Sequence, residues 1–173
     1  MGQSTQGYVN RNVTAMDIYN VICEKYDKET GFDIKTQIYN EEEQEIGSIF
    51  FKDGEDQRRL FICYGEVDKE DIFNKEIEFN GSKKYVYLSF GFWGNSVQIM
   101  TDIIKCFGGY IKENDCDEMP IVYIPQSENF NYQEYIQKRN AIAGILDVGL
   151  SYSLKIQIAS QILKYKEELK IIL

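Results

Sequence analysis

Residues Lys84 to Gly108 constrain the fold of this chain more than any other stretch. Within Tyr85–Phe90 the side chains Tyr85, Tyr87 and Ser89 alternate with Val86, Leu88 and Phe90, so both faces of the period-two pattern are largely apolar or aromatic. A strand of that kind is predicted to lie inside a sheet rather than at its rim. The turn GFWGNS then feeds a helix to about Phe107, whose Val97, Met100, Ile103, Ile104 and Phe107 form one apolar stripe. Asn95 or Ser96 is the expected N-cap, with Gln98 in the capping-box position after Asn95, and Gly108 is the expected C′ residue.

The rest of the chain reads outward from this unit. Gln3–Val9 is rich in Thr, Tyr and Val with polar alternation, which predicts an edge strand. Thr14 and Asp17 have capping-box spacing, and Ala15, Ile18, Tyr19, Ile22 and Tyr26 share one face of a helix over about 15–27. Phe32–Tyr39, Glu45–Phe51 and Arg58–Tyr64 read as a three-strand meander, the last two joined by a hairpin at Asp53-Gly54. Glu66–Glu78 is charged and weakly patterned, a surface loop or short helix, and Asn80-Gly81 is a turn. Tyr110-Ile111 and Ile121–Ile124 are short strands on either side of the acidic ENDCDEM. After Pro125 a helix is expected over Tyr132–Leu146, with Tyr135, Ile136, Ile142, Ala143 and Leu146 inward; Ser151 caps a last helix to the C-terminus. The expected class is α+β: a mainly antiparallel sheet with two packed helices, strand-helix-strands twice, forming an acidic body over 1–125. A C-terminal helical hairpin, the arm, follows over 126–173.

Composition excludes several functions. With 43% apolar residues in 173, including 13 Tyr and 10 Phe, the chain has the apolar surface to offset the entropy of ordering. No apolar run reaches the roughly 20 residues that span a bilayer, and the N-terminal MGQSTQGYVNRN has no basic region followed by an apolar one, so a cytoplasmic protein is expected. There is no histidine, and Cys23, Cys63, Cys106 and Cys116 are far apart; neither a zinc site nor a histidine-dependent triad can be assembled. No cofactor, metal or catalytic residue is assigned, and inert thiols are expected. The net charge of −9 opposes direct nucleic-acid binding and suits a basic protein surface. The charge is uneven: residues 1–125 carry 13 basic and 23 acidic side chains, a net of −10, against 6 and 5 in residues 126–173, a net of +1.

Three places are candidate sites. The turn around Trp93 and Asn95 precedes a helix N-terminus, which favours anions, yet it contains no Lys or Arg and no phosphate-binding glycine pattern; ordinary capping competes with ligand binding there. Trp93 is either a partner anchor or a cover for the core edge. Glu113, Asp115, Asp117 and Glu118 lack the glycine and glutamate spacing of a calcium loop, which leaves a solvated loop or an acidic contact surface. That surface would be extended by Glu41, Glu42, Glu43 and Glu45, by Asp53, Glu55 and Asp56, and by Glu66, Asp68, Glu70 and Asp71. In the final helix Leu154, Ile158, Ile162, Tyr165, Leu169 and Ile172 make a continuous seam, while Ile156, Ala159 and Leu163 add a second apolar strip. That breadth serves either hairpin packing alone or homodimerisation as well.

The order of elements resembles that of gyrase-inhibitor-like ligand-binding domains. The phrases FGFWGNSVQIM and FGGYIKENDCDE, with the Ile/Lys/Asn/Tyr/Glu-rich usage, are similar to those of small phage and mobile-element accessory proteins of the anti-defence inhibitor type. The resemblance implies a non-enzymatic inhibitor that blocks a host defence factor, such as a CRISPR nuclease or another nucleic-acid-binding protein, in the host cytoplasm. It transfers no residue roles. Two other roles compete: a module sequestering a small nucleotide near Trp93 and Asn95, and an immunity protein to a toxin. An enzyme ranks last, because no nucleophile and base can be paired.

Overall fold

The computed structural model describes residues 2–26, 30–33, 37–38, 44–53, 56–68, 76–116, 119–126 and 132–172. The elements in chain order are β1 (Ser4–Asn10), α1 (Ala15–Tyr26), β2 (Thr30–Asp33), β3 (Gln37–Ile38), β4 (Gln44–Asp53), β5 (Asp56–Glu66), β6 (Lys84–Gly91), α2 (Ser96–Phe107), β7 (Gly109–Lys112), β8 (Val122–Ile124), α3 (Tyr132–Gly144) and α4 (Tyr152–Ile172). The strands form one sheet of eight in the order β2-β4-β5-β6-β1-β7-β8, with β3 also paired to β4. Every pairing is antiparallel. The α+β class and the C-terminal helix pair are as the sequence predicts.

Local chemistry sets the helix ends. Thr14 and Asp17 close a reciprocal capping box: the Thr14 N–H donates to Asp17 Oδ2 at 2.9 Å and the Asp17 N–H to Thr14 Oγ1 at 3.1 Å. The α2 N-terminus departs from expectation, because Asn95 makes no side-chain cap. Ser96 is instead buried, and its hydroxyl accepts from the Trp93 N–H at 3.3 Å while bonding Thr5 Oγ1 at 2.9 Å. Gly108 ends α2 at φ 71°, its N–H donating to Ile104 O at 2.7 Å. Ser151 caps α4 through the Leu154 N–H at 3.2 Å.

The sheet places β1 differently from its reading as an edge strand. It lies between β6 and β7, pairing Tyr8 with Tyr87 on one side and with Tyr110 on the other. Its polar alternation is compatible with the interior because partners meet it: the buried Thr5 hydroxyl donates to Glu113 O at 2.9 Å and bonds Ser96. The first strand of each strand-helix-strands half lies beside the other half, β1 against β7 and β6 against β5. Of the stretch expected as a strand over Phe32–Tyr39, the described residues fall in β2 and β3, both antiparallel to β4, and 34–36 and 39 lie outside the described residues.

Register then divides the sheet into two faces. Thr5, Gly7 and Val9 pair with Phe90, Leu88 and Val86 and face the helices. A Cβ on Gly7 would stand 2.5 Å from Met100 Sδ and 2.9 Å from Ile104 Cδ1, so α2 packs where β1 has no side chain. Ile18 and Ile22 of α1 join Ile49, Phe51, Leu60 and Ile62 in the same core. The arm completes that core with Tyr135, Ala143, Ile156 and Ala159, and α4 runs beside β8. No described helix is long and apolar enough to cross a membrane.

Candidate functional site

The face opposite α1 and α2 is floored by tyrosine. Cross-strand register brings Tyr8 beside Tyr87 and Tyr110, and Tyr110 beside Tyr123. The Tyr8 ring meets Tyr85 edge-on at 5.1 Å between centroids, and Tyr110 meets Tyr123 at 5.3 Å. Their hydroxyls are bonded: Tyr8 Oη donates to Gln6 Oε1 at 3.0 Å and Tyr110 Oη to Glu78 O at 3.1 Å. Burial pushes the Tyr87 phenol up from its ordinary value. Lys164 reaches in from α4, its Nζ 2.8 Å from Tyr110 Oη and stacked over the Tyr110 and Tyr123 rings at 5.4 and 5.3 Å.

Two stretches, 66–68 and 76–83, lie across this floor and are called the strap here; residues 69–75 between them lie outside the described residues. Val67, Ile77 and Phe79 pack into the cluster built on Tyr8, Tyr85 and Tyr110, with Phe79 edge-on to Tyr110 at 5.6 Å. One end is tied by the Val67 N–H donating to Lys83 O at 3.0 Å. The other is a tight turn, where Phe79 and Ser82 exchange backbone bonds of 2.9 and 3.0 Å around Asn80 and Gly81, both at positive φ. With the apolar side chains inward, Glu66, Asp68, Glu76 and Glu78 are exposed. Gln161 Nε2 donates to Glu76 Oε2 at 2.7 Å, and Lys83 pairs with Glu78 at 3.3 Å. Between the strap turn, β1 and the α2 C-terminus is a polar crevice of about 510 Å³, walled among others by Asn10, Asn12, Asn80, Gln126, Tyr123 and Lys164.

The sequence-predicted residues fall elsewhere. Trp93 is half-buried on the edge of the main core, its ring edge-on to Phe90 at 5.8 Å with the Arg58 guanidinium 5.4 Å from its centroid. Its Nε1 is buried without a hydrogen-bond partner among the described residues. Asn95 is exposed and its carbonyl accepts the Ile99 N–H at 2.9 Å. Glu113 and Asp115 are half-buried and tied to β1. Asp115 accepts from Ser4 Oγ at 3.0 Å, and its N–H donates to Ser4 O at 2.9 Å. Burial raises the Glu113 carboxyl above its ordinary value against the pull of Arg139, whose own guanidinium is lowered by burial on α3. Asp117 and Glu118 lie outside the described residues, as do Glu41, Glu42, Glu43, Glu55, Glu70 and Asp71.

The α4 seam turns outward. Leu154, Ile162 and Tyr165 are exposed and Ile158 half-buried, while Ile156 and Ala159 face the body; Leu169 belongs to the helix, but its side chain lies outside the described residues. None of the four cysteines is in a disulfide; Cys116 is exposed and the others are half-buried. The tyrosine floor and strap are what the sequence reading missed as a site. Their signal was the Tyr85/Tyr87 alternation and the inward spacing of Val67, Ile77 and Phe79. Comparison with family models, curated proteins and solved structures gave no match.

Proposed function

We propose that this chain is a non-enzymatic, protein-binding inhibitor of phage or mobile-element type. It docks on a basic surface of a host defence factor such as a CRISPR nuclease and blocks it. The observation that carries this reading is the strap: Glu66, Asp68, Glu76 and Glu78 are exposed on two stretches that Val67, Ile77 and Phe79 pin to an aromatic floor. Carboxylates on a rigid support make a fixed negative field that steers and orients a basic partner with little ordering cost on binding. In this reading the acidic contact surface is the strap rather than Glu113 and Asp115, which serve the junction with β1. Two copies pair through the arm, each presenting its own strap.

The test is capture of partners from host lysate across a salt series, with Glu66→Lys/Asp68→Lys alongside the parent. Retention should fall with salt and fall further on charge reversal. A partner held equally by both proteins at all salt concentrations would sink the reading. An immunity protein would share this docking physics and differ in capturing a toxin. The crevice favours one other reading, sequestration of a small nucleotide, with Asn12 and Asn80 for the base and Lys164 for a phosphate. Calorimetric titration with a panel of cyclic nucleotides tests it, and no heat from any of them rejects it.

A further inference from the structure

We infer that the outward face of α4, continued across the α3–α4 turn, is the surface on which a second copy of this chain docks. Among the described residues, the large hydrophobic side chains left exposed are Met16, Phe92 and six from this one region: Ile145, Val148, Tyr152, Leu154, Ile162 and Tyr165. Val148 is 94% exposed and Ile145 84%, values that no contact within one copy explains. The helix already meets its own need for burial on the other side, where Ile156, Ala159 and Leu163 join the main core. At ordinary side-chain areas the six exposures amount to roughly 600 Å² of side-chain surface per copy, most of it apolar and about three quarters of the ~800 Å² per partner of a standard stable interface.

Charge selects the occupant. Two copies of a chain with net charge −9 repel over most of their surfaces, but residues 126–173 carry +1, so the arm is where copies approach with least repulsion. A basic partner is drawn to the body instead and gains no electrostatic attraction on the arm. The stripe at 154, 158, 162 and 165 repeats at three- and four-residue steps along a straight face, which suits packing against an identical helix about a two-fold axis. Tyr152, the first residue of α4, stands four residues before Ile156 on the line of the inward strip and is exposed, and Ile145 and Val148 are exposed on the α3–α4 turn at the same end of the arm. This deepens the proposed pairing of copies and stands apart from the strap.

Light scattering on the purified full chain over a concentration series tests it. The parent should run at twice the 20.2 kDa chain mass, and Ile162→Glu/Tyr165→Glu at the single-chain mass with an unchanged circular dichroism spectrum. Val148→Lys/Tyr152→Lys, outside the central helix face, should weaken the pairing at least tenfold. Glu66→Lys/Asp68→Lys should leave the mass unchanged, so partner capture that survives this charge reversal while the dimer stays intact would overturn the blocking function and not this surface. A parent that remains at the single-chain mass throughout, or a dimer that survives Ile162→Glu/Tyr165→Glu, overturns the inference.

Discussion

Ser160→Ala is predicted to loosen the arm from the sheet. β8 is the terminal strand of the sheet, so Tyr123, which pairs with Tyr110 on the inner side, has backbone groups with no further strand to meet. Buried Ser160 of α4 fills that role: its Oγ accepts the Tyr123 N–H at 3.2 Å and lies 3.3 Å from Tyr135 Oη of α3. One hydroxyl thus joins β8, α3 and α4. Burial pushes the Tyr135 phenol up to about 12, against the hydrogen bond from Ser160, so its proton stays in place at any ordinary pH. Alanine removes the shared atom and leaves two polar groups without it. At about 1–2 kcal/mol for each group that loses this partner, the loss should be about 2–4 kcal/mol. For a chain of this size that corresponds to a fall in Tm of roughly 5–15 °C. Thermal and urea unfolding give the magnitude, and hydrogen exchange at the Tyr123 amide gives the location. A double-mutant cycle with Tyr135→Phe should show coupling, because both changes act on one bond. A loss under about 0.5 kcal/mol with unchanged Tyr123 protection would refute the argument, since ordinary surface substitutions do no more.

Gly7→Ala should destabilise by about 1–3 kcal/mol through overpacking against Met100 and Ile104, and adding Met100→Ala should recover part of that loss; no recovery would place the strain elsewhere. Asp102 accepts from Tyr26 Oη at 2.7 Å and pairs with Lys105 at 3.0 Å. Burial works to raise its carboxyl, yet these two partners outweigh it and hold it below its ordinary value. The stability it contributes is therefore present above the aspartate range and lost as pH falls through its lowered titration; Asp102→Asn should flatten the acid limb of a stability–pH curve. Glu113 has the opposite sign: its carboxyl is raised, so stability should decline as pH rises from the ordinary glutamate value through the raised one, and Glu113→Gln should remove that decline in urea titrations at stepped pH.

The sequence determined what lies within a few residues of itself. The Thr14–Asp17 capping box, the Gly108 stop, the pairing of β4 with β5 as a hairpin, the Asn80-Gly81 turn and the inward stripe of α2 were legible because each is set by residues close together in the chain. Only the tertiary structure decided where those pieces meet. Polar alternation made β1 look like an edge, but long-range pairing placed it between β6 and β7, where Ser96 and the Glu113 carbonyl satisfy Thr5. Glu113 and Asp115 of ENDC, counted as surface charge, became ties to β1, Glu113 through its backbone carbonyl and Asp115 through its carboxylate, because pairing of β7 with β1 brings that loop onto Ser4 and Thr5. Glu66, Asp68, Glu76 and Glu78, from a weakly patterned stretch, are turned outward because a tyrosine face lies beneath to receive Val67, Ile77 and Phe79. In α4 the spacing of apolar residues identified two strips, and only packing on β8 decided that Ile156 and Ala159 turn inward and Leu154, Ile162 and Tyr165 outward. Local periodicity reports which residues share a face. Which face is covered depends on contacts between residues far apart in the chain, and no short window contains them.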